Sequence, residues 1–412
     1  MTETDKPMPQ RTHHAAKKTA RRRKRTGAAI AAPLLLGLTL AACSSGGGGS
    51  SSSSAAEPSA SSARALKACP SDAAPTTGQG GGALAGGTGG KVQIPVAKTI
   101  KPSDTSTSTV IEPTGPQIQC GKTQLTTYDN VVYSTPTTNG KQVQLKADIQ
   151  VPKTAGKKPL VIYLTGGGFS SADQAGNLGQ RTYVAEQGYV VASISYRTIL
   201  DGAIYKDAVA DVKSAVRYFR AHADQYDIDG SKVAVWGQSA GGYLAAMTGV
   251  TNGDKAFDQG DNLGQSSDVQ AVVDEFGPAN LSKLGSDYDE AAYKANTAPG
   301  NSTAEWVYGT GTKKSVAQYT PQVAAADPST YASKNSPPFI LFHGSKDQLV
   351  SPSETLDLSN TLKSKGADAT RYVVEGANHG DLTFMGDTKS GKDWSTTTVM
   401  GKITGFLSAK LG

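Results

Sequence analysis

The sequence predicts an α/β fold: a mostly parallel, doubly wound sheet with helices on both faces and a small cap insertion. Two observations lead to this prediction. From residue 159 onward, near-continuous apolar runs recur along the chain, and such runs are typical of strands that are covered on both faces. Segments with helical periodicity separate several of these runs, which favours parallel strands joined by helical crossovers.

The elements follow in chain order. Alternating apolar residues from Val143 to Val151, just after Asn139-Gly140, predict a β-hairpin that leads into an antiparallel strand. The buried strands are then expected at six apolar runs, 159–164, 189–195, 232–236, 269–276, 338–343 and 370–376.

Two helices have clear signals of their own. One apolar stripe at helical spacing comprises Val209, Val212, Val216 and Phe219. Ser351-Pro352-Ser353-Glu354 matches a capping box with proline at N1, which predicts a helix from there to about Ser364, ended by Gly366. Residues 282–335 break the strand–helix rhythm and are predicted to form the cap insertion.

Charge is distributed unevenly. Nine of the 41 Lys and Arg residues and two of the 35 Asp and Glu residues lie in residues 1–27, so the net charge of +6 falls to −1 for the remainder. A nearly neutral folded part does not indicate a nucleic-acid partner.

The N-terminal region has the pattern of an export signal. The basic head leads into the apolar stretch 28–43, which is too short for a comfortable membrane span. Its end, Leu40-Ala41-Ala42-Cys43, resembles the bacterial lipobox, in which the cysteine is lipidated. We expect a signal peptide at 1–42 and a protein anchored by Cys43 to the outer face of the cell membrane, with plain secretion as the alternative. Export by the twin-arginine route is a less favoured alternative to export by the general secretory route.

A Gly/Ser-rich tether is predicted at 43–90, an N-terminal extension at 91–127 and the main domain at 128–412. The other two cysteines, Cys69 and Cys120, would lie in an oxidising compartment after export. If paired, they would attach the end of the tether to the domain and add roughly 3–4 kcal/mol of stability. Two free thiols are the alternative.

The candidate nucleophile is Ser239. Gly237-Gln238-Ser239-Ala240-Gly241 is a G-x-S-x-G motif at the junction of a predicted strand and a predicted helix, where a sharp turn lifts the hydroxyl above the sheet. A serine needs a base. His379 follows the last core strand on a glycine-flanked loop at the carboxyl edge, where ligands bind in open α/β sheets. His222 is interpreted as a surface or capping residue, and His343 as structural.

The orienting acid is predicted to be Asp347, because it follows the preceding strand and completes the order Ser–Asp–His expected for this architecture. Asp274 is a rival, and Asp381 is too near His379 along the chain. Gly167 and Gly168, with Ala240, are expected to supply N–H donors to an oxyanion. There is no H-E-x-x-H, paired C-x-x-C or calcium-loop pattern, so neither a metal nor a cofactor is predicted.

These motifs resemble the α/β-hydrolase superfamily and, within it, the bacterial esterases related to hormone-sensitive lipase and to feruloyl and acetylxylan esterases (the BD-FAE-like group). The resemblance covers about residues 128–410 and rests on TGGGF, SYR, GQSAGG, FGPANL, HGSKD and GANHG. It implies that the segment around Phe276 and the cap shape the substrate pocket, for which Phe169, Gln238, Tyr243 and Phe276 are the candidates. The family usually has histidine where this chain has Thr165, and Ala240 differs from the tyrosine of prolyl peptidases.

The expected activity is hydrolysis of carboxylic esters through an acyl-enzyme on Ser239. Short-chain acyl or aryl esters are the expected substrates, either small molecules or esters linked to polysaccharide. The alternatives are an amidase of the arylformamidase type and a non-catalytic binding lipoprotein built on a hydrolase fold.

Overall fold

The computed structural model describes residues 65–72, 95–382, 387 and 389–412. Residues 1–64, with the predicted signal peptide and Cys43, lie outside the described residues. Thirteen strands lie in the described part: β1 (Lys67–Ala68), β2 (Thr109–Ile111), β3 (Gln119–Cys120), β4 (Leu125–Ser134), β5 (Thr137–Thr138), β6 (Lys141–Gln142), β7 (Leu145–Pro152), β8 (Lys158–Leu164), β9 (Val190–Ile194), β10 (Ile228–Gln238), β11 (Ala271–Glu275), β12 (Phe339–Gly344) and β13 (Ala369–Val374).

Nine α-helices are described in the same ranges, together with three short 3₁₀ helices. No helix among them is both long enough and apolar enough to cross a membrane. The α-helices are α1 (Leu178–Ala185), α2 (Tyr205–Ala221), α3 (Ala240–Val250), α4 (Glu290–Thr297), α5 (Ser302–Tyr308), α6 (Pro321–Ala324), α7 (Ser353–Ser364), α8 (Ser390–Trp394) and α9 (Thr397–Leu411).

The central sheet has nine strands in the order β2-β13-β12-β11-β10-β8-β9-β7-β4. Every neighbouring pair from β2 to β9 is parallel, and only β7 and β4 join antiparallel. The alternating run before the first parallel strand is thus the antiparallel β7. Asn139-Gly140 forms the turn of the small β5–β6 hairpin.

Both faces of the sheet are covered, and single strands feed both cores. On β8, Leu160 and Ile162 pack with residues of α2 and α3, whereas Val161 and Tyr163 pack with residues of α1 and α9. A strand buried on both faces has no polar side, which explains the near-continuous apolar runs. The predicted doubly wound α/β fold is confirmed.

The structure differs from the sequence prediction near the N-terminus. Residues 65–72 fall within the predicted tether, yet β1 pairs with β3. The Cys69–Cys120 disulfide is present, as the sequence analysis expected, and attaches this segment to the domain. β2 falls within the predicted extension and pairs with β13 as an edge strand of the sheet. Residues 65–72 and 95–127 are therefore part of the folded unit.

The capping box predicted at Ser351 is wrong. The helix α7 begins at Ser353, with Pro352 as its N-cap residue. The Glu354 carboxylate accepts from the distant N–H of Ala279 (2.8 Å), and Asp287 accepts from the N–H of Ser353 (2.8 Å). Contacts from remote segments thus replaced the local cap, while the helix ends at Ser364 as expected.

Candidate active site

Ser239 lies on the turn between β10 and α3 in a strained conformation. Its φ is 56° and its ψ is −122°, values that a residue with a side chain rarely adopts. Its N–H donates to the carbonyl of Glu275 (2.9 Å), which ties the turn to the neighbouring strand. The strain holds the hydroxyl above the carboxyl edge of the sheet.

Two glycines of the motif make this turn possible through close approach. A Cβ at Gly237 would lie 2.1 Å from the carbonyl oxygen of Gly241. A Cβ at Gly241 would lie 2.1 Å from the carbonyl oxygen of Leu164, at the end of β8. Neither position can carry a side chain while the helix starts this close to the two strands.

The structure brings Ser239, His379 and Asp347 together at this edge. The Ser239 Oγ lies 2.8 Å from Nε2 of His379, and Nδ1 of His379 lies 2.7 Å from Oδ2 of Asp347. With the proton on Nδ1, the imidazole donates to the carboxylate and accepts from the serine hydroxyl. This is the arrangement in which a histidine acts as a general base.

The carboxylate of Asp347 is fully buried and receives four donors. Its Oδ1 accepts from the N–H groups of Leu349 and Val350 (both 2.9 Å), and its Oδ2 faces His379 and, at 3.2 Å, Nε2 of His343. Burial acts to raise the pKa of this carboxyl, but the imidazoles of His379 and His343 lower it, and its pKa lies below the ordinary value. Asp347 is therefore ionised across the working pH range.

The loop that carries His379 is braced from two sides. The ring of Phe276, a predicted pocket residue, lies 4.6 Å from the imidazole, and Trp394 packs on the other side of Phe276. The indole N–H of Trp394 donates to the carbonyl of Asn378 (2.9 Å). The imidazole thus has little freedom to turn away from Ser239.

The glycine loop after β8 lies against the nucleophile, since a Cβ at Gly166 would come within 3.0 Å of the Ser239 Cβ. Gly167 and Gly168 have φ values of +156° and +58°. Within the described ranges, their N–H groups and that of Ala240 form no hydrogen bond with another residue. These donors are available to a ligand, as an oxyanion hole requires.

Other contacts hold the glycine loop where the family's histidine is replaced. Thr165 is buried, and its carbonyl accepts from the hydroxyl of Tyr196 (2.8 Å). Phe169 stacks on Trp306 of α5 with 4.7 Å between ring centroids. The predicted cap segment therefore contributes to the rigidity of this loop.

All four predicted pocket residues are buried, and Tyr243 and Gln238 are also hydrogen-bonded to interior groups. Tyr243 is fully buried, and its hydroxyl donates to the carbonyl of Ala326 (2.7 Å). Gln238 is also buried, and its amide binds Asn177, Gln180 and Glu275. The side chains of both residues therefore point into the interior of the protein.

Two further buried carboxyls lie under the elbow, at the end of β11. Asp274 accepts from the N–H of Gly277, and Glu275 accepts from the indole of Trp236 and the amide of Gln238. Burial raises the pKa of each carboxyl to about 7, partly offset by these donors. The rival acid Asp274 thus does not orient His379.

Sequence reasoning did not identify a contact from the N-terminal segment. We call residues 65–72 the strap. The strap is joined to β3 by the Cys69–Cys120 disulfide, and Asp72 accepts from the N–H groups of Asn177 (2.8 Å) and Leu178 (2.6 Å) at the start of α1. The Asn177 amide in turn binds Gln238, the residue before the nucleophile. No local pattern signals this contact, since 105 positions separate the partners Asp72 and Asn177.

The third histidine of the described residues, His222, is the C-cap residue of α2, and its Nδ1 lies 2.8 Å from the carbonyl of Tyr218. Among the described residues, no group of three or more His, Cys, Asp and Glu side chains is arranged to hold a metal ion.

Comparison with known proteins finds one matching family model and several relatives named as esterases. The BD-FAE family model matches residues 147–362, slightly more than half of the 412 residues. A probable isoprenylcysteine alpha-carbonyl methylesterase of Arabidopsis thaliana is 29% identical over 259 residues, which cover 62% of this chain and 52% of that protein. The chain spans about half the length of the curated relatives it matches.

Two solved structures are also similar. A truncated carbohydrate esterase from gut microbiota is 26% identical and aligns with a TM-score of 0.58, covering 72% of this chain and 99% of that one. The propionate-bound esterase 2 of Thermogutta terrifontis is 25% identical with a TM-score of 0.51, covering 70% of this chain and 94% of that one.

Proposed function

The chain belongs to the BD-FAE family of α/β-hydrolases, and we propose that it is a carboxylic ester hydrolase with Ser239 as nucleophile, His379 as base and Asp347 as orienting acid. One observation carries this proposal. The distances of 2.8 Å from Ser239 to His379 and 2.7 Å from His379 to Asp347 form a continuous path for the serine proton, beside three free N–H donors.

In the first step, the Ser239 Oγ attacks the ester carbonyl while Nε2 of His379 takes the hydroxyl proton. The negative charge that develops on the carbonyl oxygen is stabilised by the N–H groups of Gly167, Gly168 and Ala240. The loss of one such donor typically costs about 3–4 kcal/mol of transition-state stabilisation. His379 then gives the proton to the leaving alcohol, and the acyl group stays on Ser239.

In the second step, water attacks the acyl-enzyme and the same groups act again. His379 takes a proton from the water, and Ser239 leaves as the alcohol when that proton returns to its oxygen. Asp347 stabilises the imidazolium in both steps without accepting a proton itself, which agrees with the lowered pKa of its carboxyl.

The proposed substrates are short-chain acyl or aryl esters, including esters linked to carbohydrate. The relatives point to this class because they share the ester bond and differ in the alcohol: one is a carbohydrate esterase, another a methylesterase. The propionate-bound esterase supports a short acyl chain. The rings of Phe169 and Phe276 lie beside the glycine loop and His379, where they would border such a chain.

We further propose that the enzyme is exported and anchored by a lipid at Cys43. The N-terminal signal pattern supports this proposal, and so does the Cys69–Cys120 disulfide, because disulfides persist in oxidising compartments. A chain in which Cys43 is replaced by Ser should lose membrane association in cell fractionation. An unchanged membrane fraction would contradict lipid anchoring.

The catalytic proposal is tested with the purified chain on acetyl, butyryl, octanoyl and feruloyl esters. Ser239→Ala should lower kcat by about 10⁴-fold or more, because no other group can form the acyl-enzyme. Ser231→Ala is the matched control, since Ser231 is an exposed serine of the same strand β10 and bonds only Asp229.

Comparable turnover in the two serine variants would rule out Ser239 as nucleophile. A preference for acetyl or feruloyl esters would support a carbohydrate-linked substrate, and a rise toward octanoyl would contradict the short-chain assignment.

A further inference from the structure

The catalytic acid has a second histidine on the oxygen that faces His379. His343, at the end of β12, is fully buried, and its Nε2 lies 3.2 Å from Oδ2 of Asp347 and 3.0 Å from the carbonyl of Val350. The other nitrogen, Nδ1, lies 2.9 Å from the hydroxyl oxygen of Thr355 on α7. Which nitrogen carries the proton decides whether His343 donates to Asp347 or repels it.

The neighbours of both ring nitrogens determine that choice. The carbonyl of Val350 can only accept, so Nε2, which lies 3.0 Å from it, carries the ring proton. Nδ1 then accepts from the hydroxyl of Thr355, whose oxygen in turn accepts from Nε of Arg371 (3.0 Å). The Nε2–H points at Val350, with Oδ2 of Asp347 beside it at 3.2 Å.

The arginine is itself fixed, so the chain of hydrogen bonds has a defined direction. Its two terminal nitrogens donate to the hydroxyl of Ser108 (2.8 Å) and to the carbonyl of Pro352 (2.7 Å), and the side chain is almost fully buried. Hydrogen bonds that run in one direction from a fixed charge reinforce one another in a buried environment.

We propose that His343 is a positioning residue for the triad, holding Oδ2 of Asp347 in line with His379 through an Nε2–H that Val350 and Thr355 orient. This inference rests on the proposed esterase function. By sharing the charge of Asp347, His343 also limits how strongly that carboxylate retains a proton on His379.

Two kinetic effects follow from the loss of this donor. The carboxylate becomes free to rotate, so kcat should fall roughly 10-fold, in the range of a hydrogen bond to a charged group. The carboxylate also becomes a stronger acceptor for His379 and stabilises the imidazolium. The acid limb of the kcat/KM profile should then move up by about 0.5–1 pH unit, because one pKa unit corresponds to a free energy similar to that of a hydrogen bond to a charged group.

The charged surroundings of the pair stay constant in this test. Several titratable and charged groups besides His379 face or lie near His343 and Asp347. The hydroxyl of Tyr288 donates to the Asp347 carbonyl (3.0 Å), Arg371 donates to Thr355, and Glu354 is next to Thr355 in the chain. The carboxyls near Arg371 are those of Asp287, Asp104 and Asp357. None is substituted in the variants below, but Thr355→Val also removes the acceptor of Arg371 Nε, so a shifted limb is attributed to the lost donor in the His343 variants first.

The experiment compares His343→Phe with His343→Gln in the full chain. The phenyl ring keeps most of the volume but has no donor, whereas the glutamine amide can reach the place of Nε2 and donate. We expect the lower kcat and the shifted acid limb in the phenylalanine variant, and recovery of both with glutamine. His222→Phe, the same substitution at the end of α2, is the control and should match the wild type.

A second pair covers the case in which His343→Phe does not fold. Thr355→Val removes the hydroxyl at nearly constant shape, and Thr355→Ser retains it. Only the valine variant should shift the acid limb. The proposal would be overturned if His343→Phe and Thr355→Val fold and keep the acid limb of the wild type. It would also be overturned if both variants at His343, or both variants at Thr355, changed the acid limb equally.

A measurement without substrate separates this proposal from the proposed function. ¹⁵N NMR of histidine side chains should find His343 protonated at Nε2 in both the wild type and Ser239→Ala. Absence of serine-dependent turnover would refute the esterase assignment and leave the tautomer result standing. A His343 protonated at Nδ1 would refute the positioning role alone.

Discussion

Two regions of the carboxyl edge bury carboxyl groups completely, and burial has opposite results in them. In the loop after β12, the pKa of Asp347 is lowered, whereas at the end of β11 the pKa values of Asp274 and Glu275 are raised to about 7. The difference lies in the donors. Asp347 receives two backbone N–H groups and faces two imidazoles. Asp274 receives one N–H and Glu275 receives two donors on one oxygen, and within the described part of the chain the other oxygen of each has no hydrogen-bond partner.

The comparison teaches that burial alone does not decide whether a carboxyl is charged. Desolvation disfavours the charge in both regions, and only converging donors outweigh it. The region that must carry a negative charge during the reaction has those donors. The region beneath the elbow has fewer of them, and its carboxyls are uncharged below about pH 7.

The largest effect should come from Asp347→Asn, which removes the charge and turns an amide toward the two imidazoles. We expect kcat to fall about 10³- to 10⁴-fold, because the imidazolium loses its counter-charge and the His379 tautomer is no longer fixed. Steady-state kinetics with a check of thermal unfolding measures this. Asp357→Asn, on the outer face of α7, is the control, and a loss below 10-fold at Asp347 would contradict the comparison.

A smaller effect concerns stability. For Asp274 and Glu275 the folded state holds its protons more tightly than the unfolded chain, so the free energy of unfolding falls as pH rises from about 4.5 to 7 and is level above that. The fall should be on the order of 4 kcal/mol for each carboxyl, since each pKa is raised by about three units and one unit corresponds to about 1.4 kcal/mol. Asp347 has the opposite sign, because its contribution is lost only as pH drops below the ordinary carboxyl range.

Urea unfolding at pH 5 and pH 8 tests this. The double variant Asp274→Asn/Glu275→Gln should be less dependent on pH than the wild type. Part of the dependence should remain, because burial also raises the pKa of Glu354 and that of Asp211. An unchanged dependence would mean that the two carboxyls are already charged in the folded protein at pH 5.

The smallest effect is expected at Asp72, which accepts two backbone N–H groups as Asp347 Oδ1 does but lies exposed on the strap. Water competes for an exposed carboxylate, so Asp72→Ala should cost only about 1 kcal/mol, the usual value for a lost helix cap. Urea midpoints measure it. Asp72→Asn keeps an acceptor and should lose less, and equal losses would mean that the cap contributes nothing.

Much of the fold was predictable because it depends on patterns within short windows. The strands β8 to β13 are apolar on both faces, and their order along the chain leads to one carboxyl edge. The structure places Ser239, Asp347 and His379 together at that edge. Their spacing along the sequence sufficed for the prediction, since each follows the end of a parallel strand.

The rest depends on contacts between distant residues. The cap of α7 failed as a prediction because Glu354 turns to Ala279, 75 positions away. The second donor on Asp347 was equally hidden, because the position of the His343 ring proton depends on where the fold places Val350 and Thr355. Tyr243 and Gln238 were expected in the pocket because they neighbour Ser239 in sequence, but their side chains point into the interior.

The strap has a mechanical consequence. Because a covalent bond joins Cys69 to Cys120, tension applied to the chain before Cys69 passes directly to β3 and bypasses residues 70–119. That bypassed stretch contains β2, which is held to β13 by only three residue pairs and would be the first strand of the central sheet to peel away. In single-molecule pulling from the N-terminal side, we expect β2 to detach at low force with a dithiol reductant present and to stay in the sheet without it.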